Sequence, residues 1–497
     1  MYRYLLGLDV GTTGTKAYIF GEDGKLYGNA YRGYEMLTPQ VGWSEQRPAD
    51  WWKAIVETTR EVLASMEPGA GSKVAAVSLS AQGGTVFPAD ENMEPLANAR
   101  VWNDHRCEVQ KEEFLKEVGD AKVMYETTGW NLGTGLPALH IRWIKDNDPE
   151  LFAKTKMFLT VADYVSYKMT GIAAIDVSDL GINETGSISN AACDDRLLKF
   201  MGITADQLPG IVRSGDVIGH LTKEAAEELG LSTDCVFAAG AHDQYAVALG
   251  SGAVNEGDII IGSGTCWVVT ALAKEPNFES GIAQSVSAVP GMWGSCWSLS
   301  SGGVCLDWLR KNVAVGPDGQ PLDYASINTE TASRRAALDG LFFYPFSGYT
   351  EGRKAFSKGS FIGLELSHDR YDMIRAIMEG VAFQIVWMME YFKAKPSAEE
   401  GIKLAGGATK STVWCQILAD ITGLPVRIPE VSDQACVGAA VLAGLGCGAF
   451  TDAREGFKTL ATAEHVIQPD PVMSAAYAPI YKQYKEGAVA LGKLYGL

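Results

Sequence analysis

Asp243 and Gln244 stand where an apolar run, residues 235–239, passes through Gly240 into helix-forming residues 245–249 that stop at Gly250-Ser251-Gly252. An acid and an amide at the first turn of a helix can orient a hydroxyl and accept its proton, and the helix N-terminus favours the acid as the anion. In open α/β sheets ligands collect beyond the strand ends, where this turn would lie. Read alone, the segment favours Asp243 as no more than a helix cap. Near the N-terminus, Gly11-Thr12-Thr13-Gly14 joins strands expected over 5–9 and 15–20, with Asp9 closing the first and Lys16 within the second. Such a tip offers backbone N–H groups and two hydroxyls to a phosphate, while an acid like Asp9 can hold Mg²⁺ directly or through water. Neither G-x-x-x-x-G-K-[ST] nor G-x-G-x-x-G is present, so an ordinary hairpin turn is the alternative.

Two more clusters carry chemistry. Trp102, Asp104 and Arg106 sit together in WNDHR, downstream of Gln82-Gly83-Gly84-Thr85. An acid, a base and an indole suit a polyol, whose hydroxyls bond the charged groups and whose C–H faces pack on the ring. The alternative is a surface salt bridge beside a half-buried Trp. Gly406-Gly407-Ala408 ends an apolar run and precedes a helical pattern through Trp414, Ile417, Leu418 and Ile421. Glycine there lets backbone approach a flat ring or a phosphate, or lets helix and strand pack closely.

These clusters need a framework of alternating strands and helices. Residues 48–66 repeat apolar positions at helical spacing, and 74–80 reads as a strand. A second hairpin pattern, 258–261, Gly262-Ser263-Gly264-Thr265 and 266–270, echoes the first about 250 residues later. The echo suggests a duplicated domain with a boundary near Gly250-Ser251-Gly252, giving units of 1–250 and 251–497. Residues 372–380 read as a capped helix, and 436–446 as a small-residue helix able to pack closely. At 497 residues the chain has room for more than one domain. A net charge of −18 argues against nucleic acid and anionic membranes as partners. Nine cysteines without a C-x-x-C pair, and no secretory leader pattern in the opening run from Met1, point to reduced thiols in a cytoplasmic enzyme.

Together the segments resemble the FGGY family of carbohydrate kinases over essentially the whole chain. Residues 359–364, seven more, then 372–380 (DMIRAIMEG) fit that family's C-terminal pattern at every position. The N-terminal pattern is met at Pro137, Trp143 and Ile144, with His140 where Lys is usual, a departure expected to lie in a packing and surface element. The resemblance implies an α/β fold of two ribonuclease-H-like domains, the actin/hexokinase/Hsp70 superfold, with ATP and sugar meeting in an interdomain cleft. It implies Asp9 as the Mg²⁺-associated acid, and Thr12, Thr13 and Lys16 in the first phosphate loop. It also implies Gly264 and Thr265 in the second loop, Gly303 near the nucleotide, and Gly407, Ala408 and Ser411 at the adenosine turn. Asp243 falls at the catalytic base, and a homodimer is plausible for the family.

The resemblance is nearest to xylulose kinases, which share W-N-D-x-R-C (102–107) and W-x-Q-x-L-A-D-I-x-G (414–423). Gln82, Trp102, Asp104, Arg106, Asp243 and Gln244 are the expected sugar contacts. Xylulose kinases carry Met-His, and glycerol kinases Arg-Glu, where this chain has Gly83-Gly84. Two glycines are expected to widen the pocket for a pentulose, D-xylulose first, or another ketose or polyol such as ribulose, a hexulose or erythritol. Glycerol is disfavoured, because a missing polar partner costs about 1–3 kcal/mol. A non-kinase ATPase of the actin or Hsp70 kind is the rival class, and it has no need of Trp102, Asp104, Arg106 or the Asp243 turn.

Overall fold

Tyr4–Val10 (β1) is buried at every position, as a strand covered on both faces must be. In this computed structural model it pairs antiparallel with β2 (Gly14–Gly21), which pairs antiparallel with β3 (Leu26–Gly33). On its other side β1 runs parallel to β4 (Val74–Ala81). The remaining strands of this sheet are β5 (Val217–His220), β6 (Val236–Ala238) and the short β7 (Ala241–His242). The order is β5-β6-β4-β1-β2-β3, with β7 beside β4. Residues 3–316, 319–350, 353–393, 395–430, 433–461 and 463–497 are described; Met1 and Tyr2 of the opening run lie outside them.

The second sheet repeats this plan. Its strands β8 (Ile259–Ser263), β9 (Trp267–Ala273), β10 (Trp293–Leu299), β11 (Ile402–Gly406), β12 (Val426–Pro429) and β13 (Glu464–Ile467) lie in the order β10-β9-β8-β11-β12-β13, with a seventh strand, Ala283–Val286, at the edge beyond β10. β8 is antiparallel to β9 and parallel to β11, and β11 is parallel to β12. Each sheet thus has a hairpin strand at its centre, two parallel strands on one side, and a reversed strand beyond them. The duplication expected from the two hairpins is present as topology.

Helix Pro48–Ala64 starts with proline at its first turn, where a missing N–H costs nothing, and buries Trp51, Trp52, Ile55 and Val62. Each such side chain contributes on the order of 2 kcal/mol when fully buried. Helix Gln434–Gly446 packs as its small residues suggest. A Cβ on Gly7 would lie 2.1 Å from the Cys436 carbonyl oxygen, and one on Gly438 would lie 2.0 Å from that of Ala246. The helix expected over 372–380 is longer, Arg370–Met389, and its N-cap is Asp369, with Asp372 completing the capping box. Gly380 is no terminus: it lies mid-helix, where a Cβ would meet the Phe343 carbonyl oxygen at 2.1 Å. His140 is fully buried rather than at the surface, its Nδ1 3.1 Å from Cys107 Sγ.

The chain forms two compact units: 1–254 with 272–295 and 431–462, and 255–271 with 296–430 and 463–497. Among the described residues no helix is long and apolar enough to cross a membrane. Cys107, Cys235, Cys305, Cys415 and Cys436 are buried free thiols.

Candidate active site

The first unit carries the acid–amide turn. Helix Asp243–Gly250 has His242 as its N-cap, and no side-chain hydrogen bond closes that cap. Asp243 therefore does not cap the helix. Its side chain is 33% exposed, with Oδ1 3.5 Å from His242 Nε2. Gln244 beside it is partly exposed. The strand β7 is held in place by the His242 N–H, which donates to Ser178 Oγ at 2.9 Å.

The first glycine loop is tied to the neighbouring polar cluster. Thr12 Oγ1 donates to Gln82 Oε1 (3.0 Å) and accepts from the Trp102 indole (3.1 Å). Gln82 Nε2 in turn donates to Gln46 Oε1 (2.8 Å), itself held by the Trp51 indole (3.1 Å). Thr12 and Gln82 are thus committed within the protein, whereas Thr13 is exposed. Trp102 keeps 49% of its surface exposed, a flat apolar face at the end of this chain of bonds.

Lys16 does not point freely into the loop. Its Nζ lies 3.1 Å from Asp9 Oδ2 and 2.8 Å from Asp433 Oδ2. Asp433 also caps helix Gln434–Gly446 through the Cys436 N–H. Burial works against the Lys16 ammonium, but Asp9 and Asp433 outweigh it and hold it above its usual range. Burial pushes Asp9 up to about 6; Lys16 and the Ser80 hydroxyl pull it back, while Asp433 adds to the rise. Two carboxylates side by side form a hard-oxygen donor set. It fits Mg²⁺, which takes one or two carboxylates and fills its octahedron with water and phosphate oxygens. Among the described residues no group of three or more His, Cys, Asp or Glu could hold an ion alone.

Two expectations about the sugar pocket need correcting. Asp104 and Arg106 were expected to face a polyol, or else to form a surface salt bridge. They form a buried one: Arg106 Nη2 lies 2.7 Å from both Asp104 Oδ2 and Glu45 Oε1, and its side chain is 2% exposed. The guanidinium stacks on Trp43 at 3.6 Å, and Asp104 also accepts from the Ser44 N–H at 2.7 Å. Burial works upward on Asp104, but the bonds from Arg106 and Ser44 hold it below the usual carboxylate range. Nor do Gly83 and Gly84 leave space. A Cβ on Gly83 would lie 2.4 Å from His242 Cδ2 and 2.8 Å from Asp179 Oδ1; one on Gly84 would lie 3.1 Å from Trp102 Cβ. The volume is filled by side chains from distant parts of the chain. His242, Asp179 and Asp433 are residues the sequence reading missed.

The second unit gathers every nucleotide-loop residue expected there. Gly264, Thr265, Gly303, Gly407, Ala408 and Ser411 line one cavity of about 410 Å³. Gly303 begins helix Gly303–Asn312, and a Cβ on it would lie 2.4 Å from the Gly264 carbonyl oxygen. At the second turn the Ala408 N–H donates to Ser263 Oγ at 3.1 Å, and Gly406 has φ +91°, which favours glycine. Ser411 caps helix Thr412–Thr422 and donates to Asn328. Tyr324 and Asn328, one helical turn apart on Tyr324–Thr331, complete the wall. Nothing in their residue types marked them in advance.

Two sheets of one topology, each with a glycine–threonine hairpin, define a protein of the actin, hexokinase and Hsp70 type. Within that class the chain belongs to the FGGY family of carbohydrate kinases, whose N-terminal domain matches residues 4–250 and C-terminal domain residues 257–447. It is 29% identical over 457 residues to the gluconokinase of Bacillus licheniformis, covering 89% of this chain and 87% of that one. It is 28% identical over 507 residues to the L-xylulose/3-keto-L-gulonate kinase of Escherichia coli (strain K12), covering 99% and 98%. Among solved structures, the xylulose kinase from Rhodospirillum rubrum matches with a TM-score of 0.90 at 25% identity, covering 100% of both chains.

Proposed function

We propose that this carbohydrate kinase transfers the γ-phosphoryl group of ATP to a hydroxyl of a ketose or polyol, D-xylulose first, with Asp243 accepting the hydroxyl proton. The observation that carries the assignment of Asp243 is its freedom: it is a partly exposed carboxylate at the first position of a helix and makes no cap bond there. A positioned carboxylate within hydrogen-bond reach contributes about 10²–10⁴-fold. Phosphoryl transfer otherwise depends on positioning and on charge stabilisation. The cavity in the second unit has the size of a nucleoside site, roughly 300–1,000 Å³, and its glycine turns expose backbone to a flat ring. Gly264, Thr265 and Gly303 are assigned to the phosphates, and Gly407, Ala408 and Ser411 to the adenosine. The exposed Thr13, with the Gly11–Gly14 backbone, is assigned to the first phosphate contact. Asp9, with Asp433 beside it, would hold Mg²⁺, which neutralises phosphate charge when bound. Lys16 keeps these two carboxylates together in its absence. Trp102 and Gln244 are the sugar contacts, and Asp104 with Arg106 acts beneath them as a buried support.

Release of ADP from Mg-ATP, followed against a panel of C3 to C7 ketoses, polyols and aldonates, tests this reading. Stimulation by a ketose or polyol is the expected result; no stimulation by any member of the panel would overturn it.

A further inference from the structure

The four carbonyl groups of the turn Gly11-Thr12-Thr13-Gly14 are all engaged from within the protein. That of Gly11 accepts from the Tyr34 hydroxyl, and that of Thr12 from Gln46 Nε2 at 2.6 Å. The Thr13 carbonyl accepts twice, from the Tyr31 hydroxyl at 3.1 Å and from the Tyr34 N–H at 3.3 Å. The Gly14 carbonyl accepts from the Gly11 N–H at 3.1 Å. The donors are treated differently: the Thr12 and Thr13 N–H groups make no hydrogen bond among the described residues. Water serves the carbonyls of a surface turn as readily as its N–H groups. Closing every acceptor while leaving two adjacent donors open is therefore selective.

The groups that close the acceptors are themselves fixed. Gln46 is buried, and its amide oxygen accepts from the Trp51 indole at 3.1 Å and from Gln82 Nε2 at 2.8 Å. With the oxygen so engaged, the amide nitrogen is the end presented to Thr12. The Thr12 hydroxyl completes a ring through Gln82 Oε1 at 3.0 Å. Tyr34 directly follows β3, and burial, to which Asp9 adds, holds its phenol above the usual range, so it stays a donor. Tyr31 lies on β3 itself and has its place because Gly14 lacks a side chain. A Cβ there would be 2.5 Å from Tyr31 Cε2 and 2.6 Å from its hydroxyl oxygen.

We propose that Tyr34 and Tyr31 are positioning residues for phosphoryl transfer: their hydroxyls, with Gln46 on the carbonyl between them, hold the first glycine turn as a donor surface whose Thr12 and Thr13 N–H groups meet a phosphate of ATP. The proposal rests on the assignment of this turn to the first phosphate contact. Its physical basis is the sign of the two backbone groups. A carbonyl oxygen repels a phosphate oxygen and an N–H attracts it, so a mobile turn would present a mixture of both. Donors held in advance stabilise developing charge without reorganising at the moment of reaction. Neither tyrosine touches the phosphate in this scheme; each acts through the carbonyl that it holds.

The experiment compares the parent chain with Tyr34→Phe and with the double variant Tyr31→Phe, Tyr34→Phe, each lacking hydroxyls alone. Loss of a preorganised donor itself costs about 10²–10³-fold, and a group that aims one costs less. The kcat/KM for ATP is expected to fall about tenfold in Tyr34→Phe and further in the double variant. The Kd of adenosine and that of the ketose, measured by calorimetry, should stay within about twofold. The melting temperature should fall by no more than about 2–4 °C for each hydroxyl removed. A kcat/KM for ATP within twofold of the parent in both variants would overturn the proposal. So would equal losses of adenosine and ketose affinity with lower melting temperatures, the result of a purely structural role. Amide exchange across residues 11–14 of the parent, with and without Mg²⁺ and a non-hydrolysable ATP analogue, separates the two readings. Slower exchange with the analogue, alongside unaltered variants, would remove the tyrosines' role and leave the phosphate contact standing; exchange unchanged by the analogue would remove both.

Discussion

Substituting Gly83 by alanine tests the geometry around Asp243 with a single methyl group. Gly83 does not have a left-handed φ, so alanine brings no backbone strain there, and any effect comes from contact alone. The new Cβ would lie 2.4 Å from His242 Cδ2, so the ring must retreat by about 1 Å to reach ordinary van der Waals distance. It has little room, because the Trp130 and Tyr245 rings flank it with centroids at 5.9 and 5.7 Å and its backbone is tied to Ser178. Overpacking a site of this kind costs about 1–3 kcal/mol. Melting and denaturant unfolding of Gly83→Ala, His242→Ala and the double variant measure it. Gly83→Ala should lose that amount, and the double variant should regain the part due to the imidazole, a coupling of about 1 kcal/mol or more, with the 2.8 Å approach to Asp179 Oδ1 remaining. A stable Gly83→Ala protein, or an equal loss with and without the imidazole, would refute the claim that His242 fills this space.

Other consequences can be checked in parallel. Arg106→Met should destabilise the first unit by about 3–5 kcal/mol, because it leaves the buried Asp104 uncompensated; Arg106→Met with Asp104→Leu should recover much of that and retain the ketose KM. Unfolding measurements and kinetics on the two proteins decide between a structural pair and direct sugar contacts. Glu184 is fully buried, with both carboxyl oxygens lacking a partner among the described residues, and burial raises it from 4.5 to about 8. The native state then binds more protons at Glu184 than the unfolded chain does between those values, so the contribution of this group to stability is fully present below pH 4.5 and is lost as pH rises toward 8. Glu184→Gln should remove its share of that slope and raise the melting temperature at pH 8, as a series of melts across this range would reveal.

Much of the framework was legible because it is local. The strand–turn–strand of residues 4–21, the proline-started helix and the small-residue helix each follow from spacing within one segment. The glycine loops of the second unit were legible too, since each is short and its glycines are required by close backbone approach, as at Gly303 and Gly406. What stayed hidden depends on distance along the chain. Asp433 meets Lys16 across 417 positions, and no local pattern announces that pairing. Gly83 and Gly84 read as open space because a sequence shows a missing side chain but not the His242 and Asp179 groups that fill it. Asp104 and Arg106, two charges in a polar run, read as facing a ligand or solvent, whereas Glu45, Ser44 and Trp43 arrive from another segment to bury them.

The central claim is that Asp243 accepts the proton of the phosphorylated hydroxyl. Sugar-dependent ADP release by Asp243→Asn, alongside the parent chain and with ATP affinity and melting temperature measured on both, tests it most directly. The account predicts turnover lower by about 10²–10⁴-fold, with ATP affinity and stability retained. Turnover within a few-fold of the parent would contradict it.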